Sequence, residues 1–185
     1  MKLFGLFGAK RFEKAAHKIY FSLVEQARQP GFYLSCGAPD TVDGRFDMIV
    51  LHAFLLLRRL KKDHEKTAEL AQELFDRMFA DMDQNLREMG VGDLGVGKRI
   101  KGMAEAFYGR AAAYEAGLGA NDGTLAEALR RNLYRKTEPD AGQLAAMAAY
   151  MRDVAARLDG AGIDGLMAGN VVFGPAPAPP AETRK

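Results

Sequence analysis

The sequence predicts an all-α fold, a single compact helical domain of about six helices. Three observations carry that expectation. Apolar residues recur at helical spacing in one segment after another. Ala, Leu, Met, Glu, Lys and Arg outweigh Val, Ile and Thr, and Trp is absent, a balance that favours helix. No segment alternates strand-like and helical patterns in the βα manner. An apolar share of 48% over 185 residues suits one globular domain with a proper core. The expected organisation is an apolar segment over 1–9, a helical domain over 10–173 and a disordered tail over 174–185, Pro/Ala-rich and then charged.

The first helix is expected over Lys10 to Arg28, with Phe12, Ala16, Ile19, Leu23 and Ala27 on one stripe, and Pro30-Gly31 ends it. Phe32 to Cys36 is too short to classify. Asp40, Thr41 and Asp43 are candidate caps for the next helix, Arg45 to Lys61. That helix is apolar on most sides, which places it centrally in the core. After the polar break Lys61-Lys62-Asp63, Thr67 to Met89 is long and amphipathic, with Ala71, Phe75, Met78, Met82, Leu86 and Met89 on one face. Gly90 is its natural stop. A glycine-rich turn with Gly90, Gly92, Gly95 and Gly97 follows, and then a partner helix over Lys98 to Glu115. The short connection predicts antiparallel packing of the two. Thr124 and Glu127 have capping-box spacing for a short helix to Tyr134. Thr137, Pro139 and Asp140 open the last long helix, which Gly160 closes, and Gly162 to Phe173 is ambiguous.

Several function classes are disfavoured. Net charge is +2, too balanced for a strongly basic nucleic-acid binder, so no nucleic acid is expected as a direct partner. A lone Cys36 excludes an intramolecular disulfide and fits a reducing compartment. No apolar run is long enough to span a bilayer, and the apolar start lacks the pattern of a secretory signal. Met1 to Arg28 carries Leu3, Phe4, Leu6 and Phe7 beside Lys2, Lys10 and Arg11. It reads either as a membrane-surface contact or as a segment that packs on the domain or is simply frayed.

Gly90 to Gly95 matches G-x-G-x-x-G, and Gly92 to Lys98 matches G-x-x-x-x-G-K. Both motifs need a strand before the loop, and a helix stands there instead. Arg99 also occupies the position of the magnesium-binding Ser or Thr, so no nucleotide binding is expected. Asp81 to Gly92 fails the calcium-loop pattern at its sixth and twelfth positions, Leu86 and Gly92. His17, His52 and His64 form no metal-ligand spacing, and no metal or cofactor is expected. His52, in the most apolar helix, reads as a buried histidine bonded to backbone or carboxylate. No catalytic set is recognisable, so the chain is not expected to be an enzyme. The methionine stripe reads as core packing, with an adaptable surface for apolar helices as the alternative.

Two separated blocks of residues stand out. The first is Pro39-Asp40-Thr41, Gly44-Arg45-Phe46-Asp47 and Leu51-His52. The second is Asp81-Met82-Asp83, Leu86-Arg87-Glu88-Met89-Gly90-Val91-Gly92-Asp93, Lys98 and Tyr108-Gly109-Arg110. In this order the two blocks resemble the ubiquinol–cytochrome c chaperone family, and the similarity spans roughly Lys10 to Tyr150. The resemblance implies an all-helical assembly factor for the cytochrome bc complex (ubiquinol–cytochrome c reductase), without catalysis or cofactor, that binds and stabilises newly made cytochrome b. It further implies a small partner protein and contact with the ribosome, as in mitochondrial members. The expected place is cytoplasmic, peripheral at the cytoplasmic face of the inner membrane.

The expected client-binding residues are Asp81, Asp83, Arg87, Glu88, Asp93, Lys98, Lys101, Tyr108 and Arg110. The carboxylates would face the basic cytoplasmic loops of a membrane protein, and the lysines its carboxylates or lipid headgroups. The alternative is a helical module holding a lipid or quinone-like molecule in an apolar cavity.

Overall fold

The computed structural model describes residues 11–120 and 122–178. The segment 1–9, the tail from 179 onward and Asn121 of the expected turn lie outside the described residues. The described chain is helical throughout, without a strand, as its composition predicts. Its helices are α1 (Glu13–Ala27), α2 (Pro30–Leu34), α3 (Val42–Lys61), α4 (His64–Glu88), α5 (Asp93–Gly119), α6 (Thr124–Asn132), α7 (Ala141–Gly160) and α8 (Ile163–Met167). The short α2 and α8 occupy two stretches whose sequence shows no clear period.

Helix ends follow local chemistry. Pro30 sits in the first turn of α2, where its missing N–H costs nothing. Thr41 Oγ1 accepts the Gly44 N–H at 3.1 Å and caps α3. Gly44 itself is buried against the Pro39 carbonyl, where an added Cβ would collide. At the α3–α4 break, Thr67 Oγ1 donates to the Leu60 carbonyl at 2.6 Å. Arg59 pairs there with Asp63 at 2.5 Å. At the end of α4 the N–H of Val91 reaches the Leu86 carbonyl at 3.1 Å, and that of Gly90 reaches Arg87 at 2.9 Å. Together with Gly90 at φ +82°, this is a Schellman stop.

Two expected starts are corrected. The partner helix α5 begins at Asp93, before Gly95 and Gly97, so the turn shrinks to the residues between Glu88 and Asp93. The carbonyl of Gly92 accepts the Val96 N–H at 3.0 Å, which starts the helical ladder. Thr124 is not the cap of α6 but its first residue. Asp122 Oδ1 accepts the Thr124 N–H at 2.9 Å, and Gly123 is the capping position. The reciprocal pair expected there occurs instead at α7. Asp140 Oδ1 accepts the Gln143 N–H at 2.8 Å, and Gln143 Oε1 accepts the Asp140 N–H at 3.0 Å.

The helices divide into two units. One takes the chain up to Ser22, Leu57–Gly109 and Ala161–Val171, and holds α4 and α8. Its core includes Ile19, Leu70, Leu74, Met78, Val96, Phe107 and Leu166. The other takes Leu23–Leu56, Arg110–Gly160 and the chain from Val172, and holds α2, α6 and α7. Its core includes Phe32, Met48, Leu51, Leu55, Tyr114, Tyr134, Met147 and Met151. Helices α1, α3 and α5 each contribute residues to both units, so neither unit is a contiguous piece of sequence.

In the second unit α3 is buried on most of its sides, as its composition predicts. Beyond α8 the chain does not stop packing at Phe173. Phe173 is buried edge-on to His52, Gln26 Nε2 donates to the Gly174 carbonyl at 3.1 Å, and Ser35 Oγ donates to the Ala178 carbonyl at 2.5 Å. The packed chain therefore extends past the expected tail boundary at 174.

Candidate functional site

The expected client-binding residues gather mainly in the first unit, on α4, the turn and the first half of α5. Arg87, in the last turn of α4, is held between two carboxylates. Its Nε meets Asp83 Oδ2 at 2.5 Å one turn back, and its Nη1 pairs with Asp93 across the turn. Those hydrogen bonds push the guanidinium above its ordinary pKa. Glu88 accepts from Gln84 at 2.9 Å. Lys101 lies 3.9 Å from Glu105, and Lys98 is exposed. Exposed pairs of this kind contribute about 0–1 kcal/mol each to stability. Asp81 is half-buried and faces inward in part, accepting the Tyr20 hydroxyl at 2.8 Å.

Further from the turn, on the same two helices, lies an aromatic cluster that the motif reading did not bring out. Phe75 and Phe79, one turn apart on α4, have ring centroids 4.7 Å apart. Phe75 also meets Phe107 at 5.4 Å and Tyr108 at 5.8 Å. Tyr108 is 64% exposed, so the cluster reaches the surface through it. Leu94, in the first turn of α5, is 96% exposed, and Met89 is 54% exposed. The methionine stripe accordingly divides: Met78 and Met82 are core, while Met89 faces solvent. The spacing of Phe75 and Phe79 and the Phe107-Tyr108 pair carried the signal for this cluster. What the arrangement offers is adaptable apolar surface beside a fixed pattern of both charges.

Arg110 does not belong to this face. It is buried in the second unit, 2.9 Å from Asp47, itself 1% exposed. As an exposed client contact it is withdrawn. Asp47 is held on its other side by Arg135, whose Nη2 donates to Oδ2 at 2.7 Å. Burial pushes the Asp47 carboxyl up to about 6, against the pull of Arg110 and Arg135. The two motif blocks thus meet inside the protein, through Asp47 of the first and Arg110 of the second. The motif includes Asp47 but assigns it no partner, and Arg135 is not among the expected site residues, because their partnership spans 88 residues.

The same unit buries His52. Its Nδ1 donates to the Met48 carbonyl at 2.8 Å, leaving Nε2 to accept the Tyr150 hydroxyl at 2.8 Å. Burial lowers its pKa to about 4, so it stays neutral near pH 7. A cleft of 390 Å³ is lined by Pro39, Asp43, Asp47, Leu133, Arg135 and Lys136 among others. Another of 270 Å³ is lined by Arg28, Pro30, Tyr33, Leu34, Asp40 and Arg45. Both carry charged walls, unlike the closed apolar chamber that a lipid or quinone would need, and neither is rimmed by the glycine turn. Among the described residues no cluster of His, Cys, Asp and Glu is arranged to hold a metal. No described helix is long and apolar enough to cross a membrane.

Known proteins share both sequence and fold. A crystal structure titled as the Cbp3 homolog from Brucella abortus superposes with a TM-score of 0.81 at 38% identity, covering 95% of this chain and 98% of that one. A Xenopus laevis protein named ubiquinol-cytochrome-c reductase complex assembly factor 1 is 30% identical over 162 residues, 87% of this chain and 81% of its own. The human protein of that name is 30% identical over 162 residues, which are 87% of this chain and about half, 54%, of the human protein's own length. The sequence profile described as Ubiquinol-cytochrome C chaperone matches residues 34–173. With three quarters of its length inside that match, the chain belongs to the ubiquinol–cytochrome c chaperone family.

Proposed function

We propose that this protein is an assembly chaperone of the cytochrome bc complex and that its client is newly made cytochrome b, held at the cytoplasmic face of the membrane. Family membership carries the reading: the relatives matched over most of this chain are named as assembly factors of that complex. The chemistry of the first unit is compatible with it. A client made of apolar helices with basic loops needs apolar contact and acidic partners together. Tyr108, Leu94 and Met89 supply the first, and Asp83, Glu88 and Asp93 the second. Lys98 and Lys101 then meet client carboxylates or lipid headgroups.

The test is capture of cytochrome b by the tagged full-length chain, followed by the level of assembled complex in cells. We compare wild type with Lys98→Glu/Lys101→Glu and with Asp83→Lys/Asp93→Lys. Both double variants should keep wild-type helicity and melting temperature, yield less cytochrome b and lower the assembled complex. Normal capture by both folded variants would remove these charges from the client surface. Absence of cytochrome b from the wild-type capture would overturn the client assignment.

A further inference from the structure

Three buried polar atoms of the second unit have no hydrogen-bond partner among the described residues: Asp47 Oδ1, Arg110 Nη1 and the Tyr114 hydroxyl. Asp47 and Arg110 are paired at 2.9 Å, and the charges of both reach the Tyr114 hydroxyl. Asp47 Oδ2 takes Nε and Nη2 of Arg135 at 3.1 and 2.7 Å. Asp47 Oδ1 stands 2.9 Å from Arg110 Nη2, close enough for an ion pair yet outside hydrogen-bond geometry. Arg110 and Tyr114 are one turn apart on α5, so they share a helix face. Tyr114 is fully buried, and the charges of Asp47 and Arg110 act on its hydroxyl, whose pKa burial has already raised. Polar groups in such surroundings are rarely left without partners, and close-packed structure around them leaves a single small molecule as the usual solution.

We propose that one bound water completes this centre, bridging Asp47 Oδ1, Arg110 Nη1 and the Tyr114 hydroxyl. The three atoms require a ligand that donates to a carboxylate, accepts from a guanidinium and exchanges a hydrogen bond with a phenol. Water does all of these with its two donors and two acceptors. A cation there would face Arg110 and Arg135, and an anion would face Asp47. Asp47 and Arg135 also line the cleft described above. Asp43 and Lys136, both largely exposed, are the other charged groups on that cleft.

A crystal structure of the full chain at about 1.5 Å resolution, with water relaxation dispersion in solution, tests the proposal. The expected result is one density peak within about 3 Å of Asp47 Oδ1 and Arg110 Nη1. In solution, a long-lived water contribution should be present in wild type and fall in Tyr114→Phe. A dry centre in which the Tyr114 hydroxyl donates directly to Asp47 would overturn it. So would a metal ion or buffer molecule at that point, or a dispersion amplitude that Tyr114→Phe leaves unchanged.

Discussion

Arg110 and Arg87 show how differently the same side chain works in this protein. Arg87 is exposed between two exposed carboxylates, and its loss should move stability little. Arg110 is buried against Asp47, and removing either partner leaves an uncompensated charge. Asp47→Ala should therefore cost about 3–5 kcal/mol in urea unfolding, whereas Asp93→Ala should stay within about 0.5 kcal/mol. A small loss in Asp47→Ala would show that the pair is dispensable to the fold. The pH response is a second residue-scale outcome. An unfolded Asp titrates near 3.9, and burial holds Asp47 at about 6. Between those values the folded chain keeps a proton that the unfolded chain has released. Stability from Asp47 thus falls as pH rises from about 4 to about 6, by about 3 kcal/mol in all. His52 runs the opposite way. Its folded value is about 4, against about 6.5 unfolded. Its contribution is complete above about pH 6.5 and is lost as pH falls toward 4, again by about 3 kcal/mol. The two slopes oppose each other over one window. His52→Gln should gain stability on acidification from pH 6.5 to 4.5 relative to wild type, and Asp47→Asn should lose more than wild type. Parallel stability curves for all three proteins would refute both assignments.

Helix α5 is unusual for its glycines, and they explain where sequence reading went astray. A run with Gly92, Gly95 and Gly97 has low helix propensity and reads as a turn. The helix nevertheless starts at Asp93, because Gly90 ends α4 sharply and Val96 is buried one turn into α5. Tertiary burial outweighs local preference here. Gly97 has open space where a Cβ would stand, so Gly97→Ala should raise stability by about 0.5–1 kcal/mol. Gly90 also has open space, but its φ of +82° strains any other residue, so Gly90→Ala should destabilise. Thermal melts of the two variants separate these opposite signs. If Gly97→Ala also lowered stability, the early start of α5 would be wrong. The long helices were legible because their apolar positions recur at 3.6-residue spacing, as in α3 and α4. The burial of Arg110 was not, since it is decided by Asp47, and the motif's local charge pattern suggested an exposed rim. The aromatic cluster was half legible: Phe75 stood on an apolar stripe, while the exposure of Tyr108 is a property of packing.

At the scale of the molecule, the charges and aromatics of the candidate face sit in the unit built on α4, and the buried Asp47 and His52 centres sit in the unit built on α3, α6 and α7. Variants of the two groups should therefore separate by phenotype. Asp47 and His52 variants should change the cooperativity or midpoint of unfolding. Tyr108→Ala should keep the melting temperature within a few degrees and reduce client capture, read by the same pull-down. Loss of folding in Tyr108→Ala would make that ring structural. The division of α1, α3 and α5 between units has a consequence for synthesis on the ribosome. The first unit needs Ala161–Val171, and the second needs the chain from Val172, including Phe173 against His52. A nascent chain halted after α7 thus lacks the closing segment of both. The first unit lacks its closing segment until Val171 has cleared the exit tunnel, and the second until Phe173 and the residues after it have done so. Arrested chains ending near residue 160 should be readily cut by protease, and chains extended past residue 178 by a tunnel-length spacer should resist it.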